Sequence, residues 1–241
     1  MTTDRVAGLP GRKPRQSTRR SWPAPAALLL LSAIPLLAGA FRVVQLLGGP
    51  ELIPADDRFA GFPLPLMIHI VGAMIYLVVG AFEFVPRFRR SHPGWHRKAG
   101  RVLAVAGLLV AGSALYMTLF YAPASDTGSL LYVLRLVFGS AMAACLILGI
   151  TTIRRGDVTG HRAWMIRAYA IGLAAGTQAF TGGFGEALFG TGVVQGDLSM
   201  GSAWVVNLAV AEWIIRRQRG SGPSRRSVRG ARQPASAGVR P

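Results

Sequence analysis

Cysteine and acidic residues are what this chain has least of. Its single cysteine, Cys145, excludes a disulfide within the chain and, lying in an apolar run, reads as a small packing residue. Only 10 Asp and Glu stand against 27 Lys and Arg, giving a net charge of +17. The basic ends carry no interleaved aromatic residues and no recognisable binding fold, so nucleic acid is not an expected partner. A glycine-lysine phosphate loop, HExxH and GxSxG are all missing, so nothing in the chain signals nucleotide or hydrolase chemistry. Histidine is scarce too, with four in 241 residues.

Apolar residues are abundant: they make up 51% of the chain, and its mean hydropathy is +0.39. Six stretches approach the roughly 20 helical residues that cross a hydrocarbon core, at 24–47, 62–85, 101–121, 129–153, 163–183 and 199–215. The basic residues test this division independently, because Lys and Arg collect in cytoplasmic loops. Arg5 to Arg20, Arg87 to Lys98, Arg154 to Arg162 and Arg216 to Arg240 all fall on one side. Glu51, Asp56, Asp57, Asp126, Glu186 and Asp197 fall on the other, with Arg58 as the one loop base and Arg42 near the outer end of the first span. The expectation is an all-α integral membrane bundle of six transmembrane helices in a bacterial plasma membrane, with both termini cytoplasmic. Residues 22–215 form that bundle, flanked by disordered basic tails at 1–21 and 216–241 that are attracted to anionic lipids. Ala38-Gly39-Ala40 resembles a cleavage site, but the apolar run from Ala24 to Leu47 is long for a signal peptide, and a retained first span is expected.

Polar residues inside the spans mark the faces that meet. His69, Tyr76 and Glu83 are spaced seven apart, which returns them to one side of a helix. In the fifth span Arg167 and Gln178 share a face, and Gly172 with Gly176 gives a small-xxx-small step. The fourth span places Arg135 one turn from Gly139. Counted at about 1.5 Å per residue, His69, Tyr116, Arg135, Gln178 and Asn207 lie roughly 7–12 Å below the outer surface. Glu83, Arg167 and Glu212 form an inner layer, with His96 and His161 at its edge. A buried arginine is costly and marks a functional site, so His69, Arg135, Gln178 and Tyr116 are candidate contacts for a hydrophobic or anionic ligand. Glu83 and Arg167 are expected to form an inner ion pair.

Two His-Arg pairs, at 96–97 and 161–162, each open an apolar run. Neutral imidazoles are expected there, beside arginines and the N–H ends of helices, either capping those helices or ligating a metal or haem b. His69 lies about 24 Å along its helix from the inner end of its span and cannot share a haem with either.

The runs GAFEFVPRFR, HPGWHRKAGR and IRRGDVTGHRAWMIRAYA together resemble a bacterial family of multi-pass membrane proteins known as a domain of unknown function, with HR..GR and HR.WM.R signatures. The resemblance covers about Met67 to Phe180. It makes His69, His96, Arg97, Gly100, Arg101, His161, Arg162, Trp164, Met165 and Arg167 signature positions and implies no reaction. Glu83 stands where the family often has Gln, and Gln178 where it often has Arg. Three readings follow: a haem- or quinone-associated redox component using His96 and His161; a transporter or ligand-binding protein using the outer layer; and a membrane scaffold or assembly factor.

Overall fold

The computed structural model describes residues 23–85 and 91–220. Among them are seven α-helices: α1 Pro23–Leu46, α2 Leu64–Glu83, α3 Pro93–Phe120, α4 Ser129–Arg154, α5 Val158–Gly172, α6 Ala174–Phe189 and α7 Val193–Gly220. One 3-10 turn, Asp57–Phe59, lies between α1 and α2, and the described residues contain no strand. By length and apolar composition α1, α2, α3, α4 and α7 can each cross a membrane.

Four boundaries differ from the sequence reading. The third helix begins at Pro93, eight residues before the expected span, because proline suits the first helical turn, where its missing N–H costs nothing. His96 therefore lies inside the first turn of α3. His161 likewise lies inside α5, whose cap is Asp157, accepting from the Gly160 N–H at 2.8 Å. Neither His96 nor His161 is a cap: the N-cap position of α3 is His92, whose side chain makes no capping bond, and that of α5 is Asp157. The last helix extends the expected 199–215 in both directions and carries Arg216 to Gly220 in helical form. The expectations for 1–21 and 221–241 lie outside the described residues.

The fourth difference concerns the expected fifth span. Helical bonding breaks at Leu173, dividing it into helices of 15 and 16 residues, each too short to cross alone. Gly176 donates to the Leu173 carbonyl in a tighter 3-10 step, at 3.0 Å. The side-chain amide of Asn207, on α7, donates to the Ala170 carbonyl at 3.1 Å and accepts from the Thr177 hydroxyl at 2.9 Å. It thus serves a carbonyl of the last α5 turn, where helical partners run out.

Chain neighbours pack together apart from α5 and α6, the two parts of the broken span, which barely touch; α5 also meets α7 and α2, and α6 meets α1. The core gathers Tyr76, Leu77, Val110, Met142, Leu146, Ala168 and Tyr169 from α2, α3, α4 and α5. Glycine makes the approaches close. A Cβ at Gly80 would stand 2.5 Å from the Tyr169 ring, whose hydroxyl donates to the Leu77 carbonyl at 2.9 Å. At Gly176 a Cβ would strike the backbone of Leu31, so α6 meets α1 main chain to main chain there. Outward, Leu30, Ile34, Leu37, Val105, Leu109 and Val205 are exposed, the surface that suits lipid.

Asp197 was expected in an outer loop. It is instead 2% exposed within α7 and accepts from the Gly128 and Leu131 N–H groups at 3.0 and 3.1 Å. A carboxylate from another helix thereby caps α4, whose own cap residue Gly128 has no side chain to offer. Replacing Asp197 with Ala leaves two buried N–H groups unpaired and should cost about 2–3 kcal/mol. A thermal melt of the detergent-purified variant should fall by several degrees; an unchanged midpoint would remove this cap from the account.

Candidate functional site

A cavity of about 670 Å³ opens between all seven helices. Three of the four expected ligand contacts, His69, Arg135 and Gln178, line it. Its deeper walls are apolar, with Ile70, Leu77, Met142 and Ile171, and with Phe138 stacked on Trp204 at 4.9 Å. Toward the loop between α1 and α2 it meets Arg58, Phe59, Tyr121 and Thr127.

His69 is oriented by α3. Its Nδ1 lies 3.2 Å from the Val110 carbonyl and 3.2 Å from the Ser113 hydroxyl, which itself donates to the Leu109 carbonyl at 2.6 Å. A carbonyl can only accept, so Nδ1 carries the proton. In the neutral ring Nε2 is then the free acceptor, and no described residue bonds to it. Gln178 donates to the Met200 carbonyl at 3.3 Å, which turns its Oε1 away from that contact. Arg135 differs from both. Among the described residues this half-buried guanidinium has neither a hydrogen bond nor an ion pair. Among those residues its five donors therefore have no acceptor.

The loop between α1 and α2 supplies a second guanidinium. Arg58 is held by Asp56 through Nε–Oδ1 at 2.8 Å and Nη2–Oδ2 at 2.5 Å. That bonding holds the Asp56 carboxyl below the usual carboxylate range and raises Arg58 above its own. The pair's contribution is thus present at neutral pH and is lost only as acid reaches the lowered carboxyl. Tyr121 fixes the loop against α3: its hydroxyl donates to the Phe62 carbonyl, and its ring lies 5.0 Å from Phe59. Neither Arg58 nor Tyr121 was selected from sequence. Their signal was slight, a base among the outer acids and an aromatic residue at a helix end.

Tyr116, the fourth expected contact, does not line the cavity. It is 41% exposed and packs on Phe120 at 4.8 Å and Tyr121 at 6.1 Å. What sets Tyr116 apart is the side of α3 on which it stands. Val110, Ala114, Met117 and Tyr121 repeat at three and four residues along the cavity side of α3, and Tyr116 falls off that stripe.

The inner layer pairs differently from the expectation. Glu83 and Arg167 are not partners. Glu83 Oε2 bonds His96 Nδ1 across the antiparallel α2 and α3, which bring the end of one beside the start of the other. Glu83 Oε1 is buried and unpartnered among the described residues. Arg167, on the side of α5 that meets α7, bonds Glu212 through Nε–Oε1 at 2.5 Å and Nη2–Oε2 at 3.1 Å. Its guanidinium also lies 4.7 Å from the Trp164 ring centre. Periodicity shows which residues share a helix face; it does not show which neighbouring helix that face meets.

His161 donates from Nδ1 to the Gly149 carbonyl at 2.8 Å, tying α5 to α4, whereas His96 ties α3 to α2. Each histidine serves its own helix pair, and no hydrogen bond among the described residues joins the two rings. Nor do the described residues contain a group of three or more His, Cys, Asp or Glu side chains able to hold a metal ion. Arg97, Arg101 and Arg162 are exposed, and Trp164 is half-buried.

These pairings separate two carboxylates by role. Glu212→Gln should cost about 2 kcal/mol, because Arg167 keeps its charge and loses a bidentate partner. Glu83→Gln should cost under about 1 kcal/mol, since an amide oxygen still accepts from His96. Melting temperatures of the two variants in one detergent compare them directly, and equal losses would contradict the assignment.

Residues 66–215, more than half of the chain, match the model of a family described as Predicted membrane protein (DUF2306). No curated protein and no solved structure matches the chain.

Proposed function

The chain belongs to that family of predicted membrane proteins, and on this premise we propose that it is a ligand-binding protein of the bacterial plasma membrane. The ligand is a small amphiphile with one anionic group and an apolar body. The observation that carries this reading is Arg135: a half-buried guanidinium with no hydrogen bond or ion pair among the described residues, facing the cavity that His69 and Gln178 also line. An arginine at membrane depth is costly, and an anionic group arriving from outside would offset that cost. Polar residues toward the outer end and apolar walls below them suit a charged head with a carbon tail.

The placement behind this reading has six crossings. In it α5 and α6 together make the fifth, broken at Leu173, and the break is tolerated because Ile171, Gly172, Ala174 and Ala175 line the cavity. Both termini are cytoplasmic, on the side of Arg97, Lys98, Arg154, Arg155 and Arg162, and the cavity mouth lies on the side of Glu51, Asp56 and Asp126.

Calorimetric titration of the chain in nanodiscs of zwitterionic lipid, using decanoate and decanol as probes, tests the site. Decanoate should bind more tightly than decanol. Arg135→Gln should weaken decanoate by about 10- to 100-fold, the worth of a charge-assisted hydrogen bond. His69→Ala should weaken it several-fold, and Tyr116→Phe should leave it unchanged. Equal affinity for the acid and the alcohol, or no effect of Arg135→Gln, would overturn the reading.

A further inference from the structure

A second concavity lies on the opposite side of the α2–α3 pair and takes no part in the outer cavity. It is a groove of about 630 Å³, lined by Met67, Ile68, Val71, Gly72 and Ile75 of α2 and by Arg101, Val102, Val105, Ala106 and Leu109 of α3. Gly72 forms its floor. A Cβ there would stand 3.1 Å from Val110 Cγ2 and 3.4 Å from the Ala106 carbonyl, so the two helices pinch together at that level. Val71, Ile75, Val102, Val105 and Leu109 form exposed walls.

Every lining residue except Arg101 is apolar. Lys98, Arg101, Val105 and Leu109 follow one another at steps of three and four, with Val102 four residues beyond Lys98, so two cations cap the end of the same helix face that walls the groove. Both cations are exposed, and neither has an ion pair or a hydrogen bond among the described residues. The nearest acid in sequence on α2 is Glu83, whose Oε2 is engaged with His96. From Arg101 to Leu109 the groove runs about 12 Å along the helix. An apolar channel ending in unpaired cations is complementary to an acyl chain with an anionic headgroup, and to neither a neutral lipid nor a bare anion.

We propose that this groove seats one anionic phospholipid, its headgroup phosphate on Arg101 and Lys98 and an acyl chain along Val102, Val105 and Leu109. The seat is independent of the outer cavity and does not rest on that assignment. It differs from general attraction to a charged surface because it requires the groove as well as the cations.

Native mass spectrometry of the full chain, purified in detergent and supplied with equal phosphatidylglycerol and phosphatidylcholine of matched chains, reads lipid retention directly. One phosphatidylglycerol per chain should be retained preferentially. Arg101→Gln and Lys98→Gln should each lower that preference about fivefold. Val105→Trp should displace the lipid with both charges in place. Val71→Phe, on the facing wall, should do the same, and it serves where Val105→Trp lowers the melting temperature. Equal retention of the two lipids by the unaltered chain would overturn the proposal. So would charge variants that matter while groove-filling variants do not, since that is surface attraction alone. A dimer that Val105→Trp abolishes, with lipid retention unchanged, would give the groove to a second copy of the chain.

Discussion

Hydrocarbon offers no hydrogen bonds, and the internal order of this bundle follows from that constraint. Each polar group placed among the spans needs a partner supplied by protein or by enclosed water. Ser32 and Ser113 turn their hydroxyls back onto Leu28 and Leu109 of their own helices. Tyr169 reaches Leu77 on α2, Asp197 caps α4, and Asn207 serves the end of α5. These are specific bonds between particular helices, and they set the register of a bundle whose apolar contacts alone would tolerate sliding. Glycines complete the arrangement, since Tyr169 reaches Leu77 only because Gly80 leaves room for its ring.

Five long apolar helices could be read from sequence because hydropathy is a property of the chain alone. Element ends were harder. Pro93 as the first residue of α3 and Asp157 as the cap of α5 obey local rules, yet each sits before the apolar run by which a span is found. The break at Leu173 falls within IGLAAGTQ, which contains no proline, and its compensation comes from Asn207, far along the chain on α7. A local reading cannot see a cap delivered from another helix. Asp197 shows the same limit, 66 residues from the N–H group of Leu131 that it serves.

Pairing of charges was legible in part. Glu83, Arg167 and Glu212 were all expected in one inner layer, and each does take part in a contact between helices. The partners were not recoverable, because three residues at one depth on three helices allow several pairings, and only the packing of α2 on α3 and α5 on α7 selects among them. The stripe of His69, Tyr76 and Glu83 makes the point within one helix. Evenly spaced along α2, the three residues meet Ser113, the Tyr169 ring and His96 respectively. One face of α2 thus serves the cavity, the core and the inner contact in turn.

The arginines of the two polar groups differ in how they are paired. Toward the inner end Arg167 has a bidentate carboxylate and a stacked indole, and His161 and His96 each hold a neighbouring helix. These residues account for themselves structurally. In the outer layer Arg135 has no protein partner among the described residues, and His69 is held on one nitrogen so that the other is left as an acceptor. A folded chain under selection for stability alone gains nothing from keeping an arginine unmatched at that depth, where a leucine would pack without desolvation cost. The cost makes sense if the counter-charge arrives from outside the chain, in a cavity whose apolar walls would hold the rest of the molecule that carries it.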